Sequence, residues 1–188
     1  MPSSLLFLAS LLALGVLIPL ALFDGLYLHL WRFRLFARPE TRREHGIHTV
    51  RAVLGAVALV LVFRGDTVGP TLWLGATMLA FDTAIGVWDV VEETRARGFQ
   101  GGVPRAEAAI HIIANTTHVA AAVLSLAARP LAAWTSAAPP ADLVAAASVV
   151  RGATEHWLLP GAMAIAALHV LLLALPARLR GSASAPAR

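Results

Sequence analysis

The stretch from Ser3 to Phe23 is almost entirely apolar, and about 20 such residues are enough to cross the hydrocarbon core of a bilayer as an α-helix. The chain is 58% hydrophobic and 14% charged, whereas a soluble domain is about a quarter charged. The sequence therefore predicts an all-α, polytopic integral membrane protein surrounded by the lipid bilayer. Five predicted transmembrane spans cover residues 4–31, 45–63, 71–91, 106–128 and 160–175.

Spans one to four are expected to form a bundle with a polar centre, and span five to pack alongside it. The long connector between spans four and five contains a semi-apolar stretch, residues 143–150, which predicts a short helix on the membrane surface. Together these segments form one predicted transmembrane domain over residues 1–177. Residues 178–188 are rich in Ala, Ser, Pro and Arg, a composition typical of a disordered tail.

The arginines predict the orientation, since Lys is absent and every basic side chain outside histidine is Arg. Cytoplasmic loops carry an excess of positive charge, which predicts an inner-membrane protein with its N-terminus outside and its C-terminal tail in the cytoplasm. The net charge of +4 therefore reflects topology, and no nucleic-acid partner is predicted. The predicted cytoplasmic side carries Arg32, Arg34, Arg38, Arg42, Arg43, Arg95, Arg97, Arg105, Arg178, Arg180 and Arg188, and the outer side carries Arg64, Arg129 and Arg151.

A polar stripe runs along span four. Glu107, His111, Asn115 and His118 stand at positions i, i+4, i+8 and i+11, which share one side of an α-helix. Polar side chains inside a transmembrane segment are costly and usually face other protein groups or a cavity. This stripe therefore predicts a polar site inside the bundle.

Spans two and three contribute polar groups at a matching depth. Glu44, His48 and Arg51 lie on one face of span two, at i, i+4 and i+7. Asp82 and Asp89 lie on one face of span three, with Glu93 close to that face. All of them fall between the middle and the cytoplasmic end of their span, whereas the outer halves hold almost no ionisable group.

Span one carries Asp24 and His29 in its cytoplasmic half. At 100° per residue, these two side chains point about 140° apart on an α-helix. Only one of them is therefore expected to face inward, unless Gly25 distorts the helix.

Two Glu-x-x-x-His pairs, Glu44/His48 and Glu107/His111, predict a metal site because each places a carboxylate and an imidazole on one helix face. Mixed oxygen and nitrogen ligands suit iron, manganese or zinc. Asp24, His29, Asp82 and Asp89 are expected to complete the ligand set, with Arg51 and Asn115 around it. Such a centre predicts a redox or hydrolytic role on a lipid-soluble substrate.

Two alternatives remain open. His118 and His169 are single imidazoles at comparable depth and could be axial ligands of a haem b; His48 with His111 is another such pair. The polar cluster could instead hold the helices together, or handle protons, in a non-enzymatic subunit of a larger membrane complex. A further set is expected to be solvated at the membrane surface: Glu40, Arg43, His45 and Glu92.

Overall fold

The computed structural model describes residues 2–98 and 101–176, and among these every regular element is helical. Five helices are long and apolar enough to cross a membrane, which confirms the predicted all-α fold and the predicted number of such helices. The predicted disordered tail, residues 178–188, lies outside the described residues. The five helices are α1 (Ser3–Arg32), α2 (Arg42–Phe63), α3 (Gly69–Ala96), α4 (Arg105–Ala127) and α5 (Ala141–Ala174).

The helices pack as a closed bundle in which α5 takes a full part. Helix α1 packs along α4 and along the first part of α5, and α2 packs between α3 and the second part of α5. The fifth span therefore lies between α1 and α2, rather than beside a complete four-helix bundle as predicted.

Helix α5 also begins earlier than predicted, at Ala141 instead of residue 160. The stretch predicted as a surface helix is the first part of α5, which continues through a π-helical turn at Thr154–Leu158 into the segment that ends at Ala174. Its apolar side is buried: Leu143, Ala147 and Val150 form a small core with Phe7 of α1. Burial of these side chains is the reason why this stretch joins the bundle.

Small residues let α1, α2 and α4 approach closely in the half of the bundle that holds the main apolar core. Ser10 of α1 donates a hydrogen bond to the carbonyl of Ala121, at 2.8 Å, and Ser125 donates to the carbonyl of Val62, at 3.2 Å. Contacts of this kind are typical of helix packing in membranes. The core itself consists of Leu14, Ala58, Leu59, Val62, Phe63, Leu79, Ala121 and Ala122.

Arg129 closes the bundle just beyond the end of α4. Its buried guanidinium donates to the carbonyls of Ser125 and Val62, both at helix ends where carbonyls lack helical partners. Burial lowers the pKa of Arg129 to about 10, against the opposing effect of Asp66, so the group stays charged at neutral pH. This end of the molecule is thus held by a structural cation.

Candidate metal centre

The candidate centre lies at the opposite end of the bundle and begins with an irregularity in α1. Residues Phe23–Arg32 form a π-helix, in which hydrogen bonds run from i to i+5. Residues five apart therefore share a face, and Asp24 and His29 both point inward: Nε2 of His29 lies 3.4 Å from Oδ1 of Asp24. The distortion near Gly25 that the sequence left open is present.

Asp24 and His29 of α1 meet Glu107 and His111 of α4. One ligand atom from each of these four side chains lies within 4.8 Å of each of the others. His29 Nε2 lies 3.4 Å from Glu107 Oε1, and His111 Nε2 lies 2.8 Å from Asp24 Oδ1. We call this set of two carboxylates and two imidazoles the primary group.

His29 is the most enclosed member of the primary group, with 0% of its side chain exposed. Neither ring nitrogen has a hydrogen-bond partner among the described residues, although carboxylates lie 3.4 Å away. Oε2 of Glu107 is also buried and unpartnered there. Buried polar atoms are nearly always satisfied, so these atoms lack an interaction that a bound cation would provide.

His111 is oriented by a second carboxylate. Its Nδ1 lies 2.9 Å from Oε2 of Glu93, while its Nε2 faces Asp24. If Nδ1–H donates to Glu93, then Nε2 and Asp24 Oδ1 both carry lone pairs at 2.8 Å, and a proton or a metal cation must lie between them. A carboxylate behind a ligating imidazole is the common outer partner of protein metal sites.

A second set of ligand atoms adjoins the primary group through His29. His29, Glu44 and His48 also offer ligand atoms within 4.8 Å of one another, and we call them the secondary group. The rings of His29 and His48 have their centroids 4.2 Å apart. The structure thus brings both Glu-x-x-x-His pairs of the sequence to one region of the bundle.

Arg97 occupies the side of this region where Glu44 and Glu107 approach each other. Its Nε and Nη2 lie 3.0–3.3 Å from the oxygens of Glu44, and Nη2 lies 2.7 Å from Oε1 of Glu107. The guanidinium is fully buried and stands 4.2 Å from the ring centroid of Phe33. The sequence alone predicts that Arg97 lies in a loop and contributes only to the topology signal.

The charge of Arg97 is well defined. Burial acts to lower its pKa, but the hydrogen bonds to Glu44 and the nearby charges of Glu44, Glu107 and Glu93 outweigh burial and raise the pKa above its usual value. The guanidinium is therefore permanently charged. The guanidinium of Arg97 can balance only one of the negative charges of Glu44, Glu107 and Asp24. The region therefore retains an excess of carboxylates.

Asp82, Asp89, Arg51 and Asn115 form a separate layer deeper in the bundle. Arg51 lies 3.2 Å from Asp89, 3.5 Å from Asp82 and 2.8 Å from the amide oxygen of Asn115. Asp89 reaches back toward the secondary group, at 3.6 Å from Nε2 of His48. The two aspartates predicted as metal ligands are thus paired with Arg51 and lie outside both groups of converging ligand atoms.

The two histidines of the haem alternative lie beside different partners. Nδ1 of His118 is 3.6 Å from Asp82, whereas the ring of His169 stacks on that of His45, with centroids 5.2 Å apart. The structure therefore associates His118 with the Arg51 layer and His169 with α1 and α2. Haem binding stays an untested prediction.

Besides Arg97, three buried residues near the site differ from the predictions made from the sequence. His45 and Glu92 were expected to be solvated, but both are buried, His45 against His169 and Glu92 beside Arg95 and Arg43. Glu93 was placed near the inward face of span three without a role. Its position one turn after Asp89 was the available signal.

Comparison with known proteins adds no assignment: no family model matches the chain, and no curated protein or solved structure is significantly similar to it.

Proposed function

We propose that this chain is an integral membrane protein that binds a transition-metal ion through Asp24, His29, Glu107 and His111. The observation that carries the proposal is His29, which is fully buried among carboxylates with both ring nitrogens unpartnered among the described residues. A divalent cation would satisfy His29 and Glu107 and would offset the excess of carboxylates. Without one, both would remain buried and unsatisfied.

The surface of the bundle supports the membrane part of the proposal. Large apolar side chains point outward along the helices, including Leu12 at 65%, Val87 at 68% and Leu171 at 66% exposure. Each of the five helices carries exposed large apolar side chains, which are unfavourable in water and suit lipid. The charged residues in the middle of the helices instead face the bundle interior, as in Arg51 and Asp82.

The excess of Arg at the end that holds the centre supports a cytoplasmic position for it in the inner membrane. The N-terminus would then lie outside. A centre at this depth would meet substrates that partition into the bilayer.

The ligand set suits iron, manganese or zinc, and the identity of the ion decides which activity is chemically open. Iron or manganese would supply redox chemistry, and zinc would supply an activated water for hydrolysis. In either case the chain's own contribution is the same: Glu93 orients His111, and the surrounding apolar helices limit access of water.

Metal analysis of the protein purified in detergent, together with its optical spectrum, tests the proposal. The wild-type chain should bind about one equivalent of iron, manganese or zinc, and the His29→Ala/His111→Ala variant should lose it. His156→Ala is the matched control, because His156 is exposed at the other end of the bundle. Metal binding should weaken as the pH falls, since protons compete for the ligands.

Two outcomes would reject this site. A Soret band would move the assignment to haem and to His118 and His169. A folded wild-type chain that binds no metal, with variants that differ only in thermal stability, would mean that the cluster holds the helices together.

A further inference from the structure

The two groups of ligand atoms differ in what they already contact. In the primary group, both nitrogens of His29 and Oε2 of Glu107 are buried without a hydrogen-bond partner among the described residues. In the secondary group, both oxygens of Glu44 accept hydrogen bonds from Arg97. Within the described part of the chain, Nε2 of His48 is unpartnered as well, and His29 belongs to both groups. The difference lies in the carboxylates: Glu44 has both oxygens in contact with a cation, whereas Oε2 of Glu107 has none in the part of the chain that the structure describes.

The position of Arg97 is incompatible with an additional metal ion on Glu44. Arg97 joins Glu44 to Glu107 through Nη2, at 3.0 and 2.7 Å, so its charge lies between the two groups. A divalent ion bound to Glu44 would stand within a few ångströms of that guanidinium, and like charges so close in a buried site repel strongly. The planar guanidinium of Arg97 is well suited to hold the carboxylates of Glu44 and Glu107 in place.

Building on the proposed metal site, we propose that the centre holds a single metal ion in the primary group and that the guanidinium of Arg97 takes the place of a second. The arrangement then resembles a two-ion centre in which the guanidinium side chain of Arg97 replaces one of the metal ions. Removal of that cation would leave Glu44 and His48, beside His29, free to hold a second divalent ion.

The test counts metal ions in Arg97→Met, which removes the charge and keeps much of the side-chain volume. After loading with Mn²⁺ and removal of weakly bound ions, the wild type should retain one ion per chain and Arg97→Met should retain two. Electron paramagnetic resonance should show an isolated Mn²⁺ ion in the wild type and a spin-coupled pair in the variant. A coupled pair cannot arise from ions scattered over the protein surface.

Conservative and neighbouring variants control for indirect effects. Arg97→Lys keeps a positive charge and should still bind one ion. Arg95→Met removes an exposed arginine two residues away and should also bind one. In the double variant Arg97→Met/Glu44→Gln, the second ion should be lost again while the first is retained.

Glu44→Gln alone keeps the test decisive if Arg97→Met does not fold. Because Glu44 belongs to the secondary group, this variant should still bind one ion, whereas loss of the ion would overturn the proposal. Two ions in the wild type, or one in a folded Arg97→Met, would overturn it as well. Absence of any metal from the wild type is a different result, because it would reject the proposed function itself.

Discussion

Glu93 orients the imidazole ring of His111 so that Nε2 faces Asp24. Its Oε2 lies 2.9 Å from Nδ1, which leaves Nε2 as the atom that faces the primary group. Replacing such an outer carboxylate usually weakens metal binding about 10- to 100-fold. Glu93→Gln should therefore raise the dissociation constant for Zn²⁺ by at least about tenfold, as measured by competition with a chelator of known affinity.

The neighbouring residue provides the control for this prediction. Glu92 is also buried, but its partners are Arg95 of α3 and Arg43 of α2. Glu92→Gln should leave Zn²⁺ affinity within about twofold of the wild type, well below the change expected at an outer-shell carboxylate. Equal weakening by both substitutions would mean that Glu93 acts through the stability of α3 and not through His111.

Individual residues differ in how far the sequence predicted their role. His111 and Glu107 follow a helical period within an apolar segment, so their common inward face could be predicted. Arg97 comes just after α3, where no helical period continues, and loop arginines are usually solvated. Its contact with Glu44 depends on tertiary packing between residues 53 positions apart, which no local pattern contains.

At the level of helices, the π segment of α1 explains why Asp24 and His29 both point inward. An α-helical period places Asp24 and His29 on different faces, and a π-helical period places them on one face. Sequence patterns assume the α-helical period. The convergence of these two ligands could therefore be predicted only for the case in which Gly25 distorts the helix. π-Turns often occur at functional sites, and this one supplies half of the primary group.

The crossing of α2 and α3 depends on the absence of a side chain at Gly75. A Cβ atom there would lie 2.7 Å from Cγ2 of Val62 and 2.9 Å from Cβ of Leu61. Gly75→Ala should therefore destabilise the protein by about 1–3 kcal/mol through overpacking. The midpoint of unfolding in detergent, measured by circular dichroism, should fall accordingly.

Gly55 on α2 is the matched control, because a Cβ atom there would meet nothing within 4 Å. Gly55→Ala should be neutral or slightly stabilising, since Ala favours a helix interior by up to about 1 kcal/mol over Gly. If Gly75→Ala were equally neutral, α2 and α3 would not cross as closely as the structure has them.

Across the whole molecule, the bundle has three successive zones along its length, two with ionisable groups and one that is apolar. One end holds the two ligand groups and Arg97, the Arg51 layer lies deeper, and an apolar core around Leu14, Ala58 and Leu79 follows. The other end is closed by Arg129. The apolar zone separates the candidate centre from that end, so the proposed metal ion would exchange on the side of the centre.

The proposed orientation in the membrane can be measured directly, because the chain contains no cysteine that would have to be removed. Glu40→Cys and Arg105→Cys mark the end with the centre, and Leu131→Cys, at a position that is 87% exposed, marks the other. The excess of Arg around Glu40 and Arg105 predicts that both react with a membrane-impermeant maleimide only after the inner membrane is opened. Leu131→Cys should react in intact spheroplasts.

The reverse labelling pattern would place the centre on the outer side, where the proposed metal ion would come from outside the cytoplasm. Reaction of all three cysteine variants in intact spheroplasts would contradict a membrane-spanning bundle.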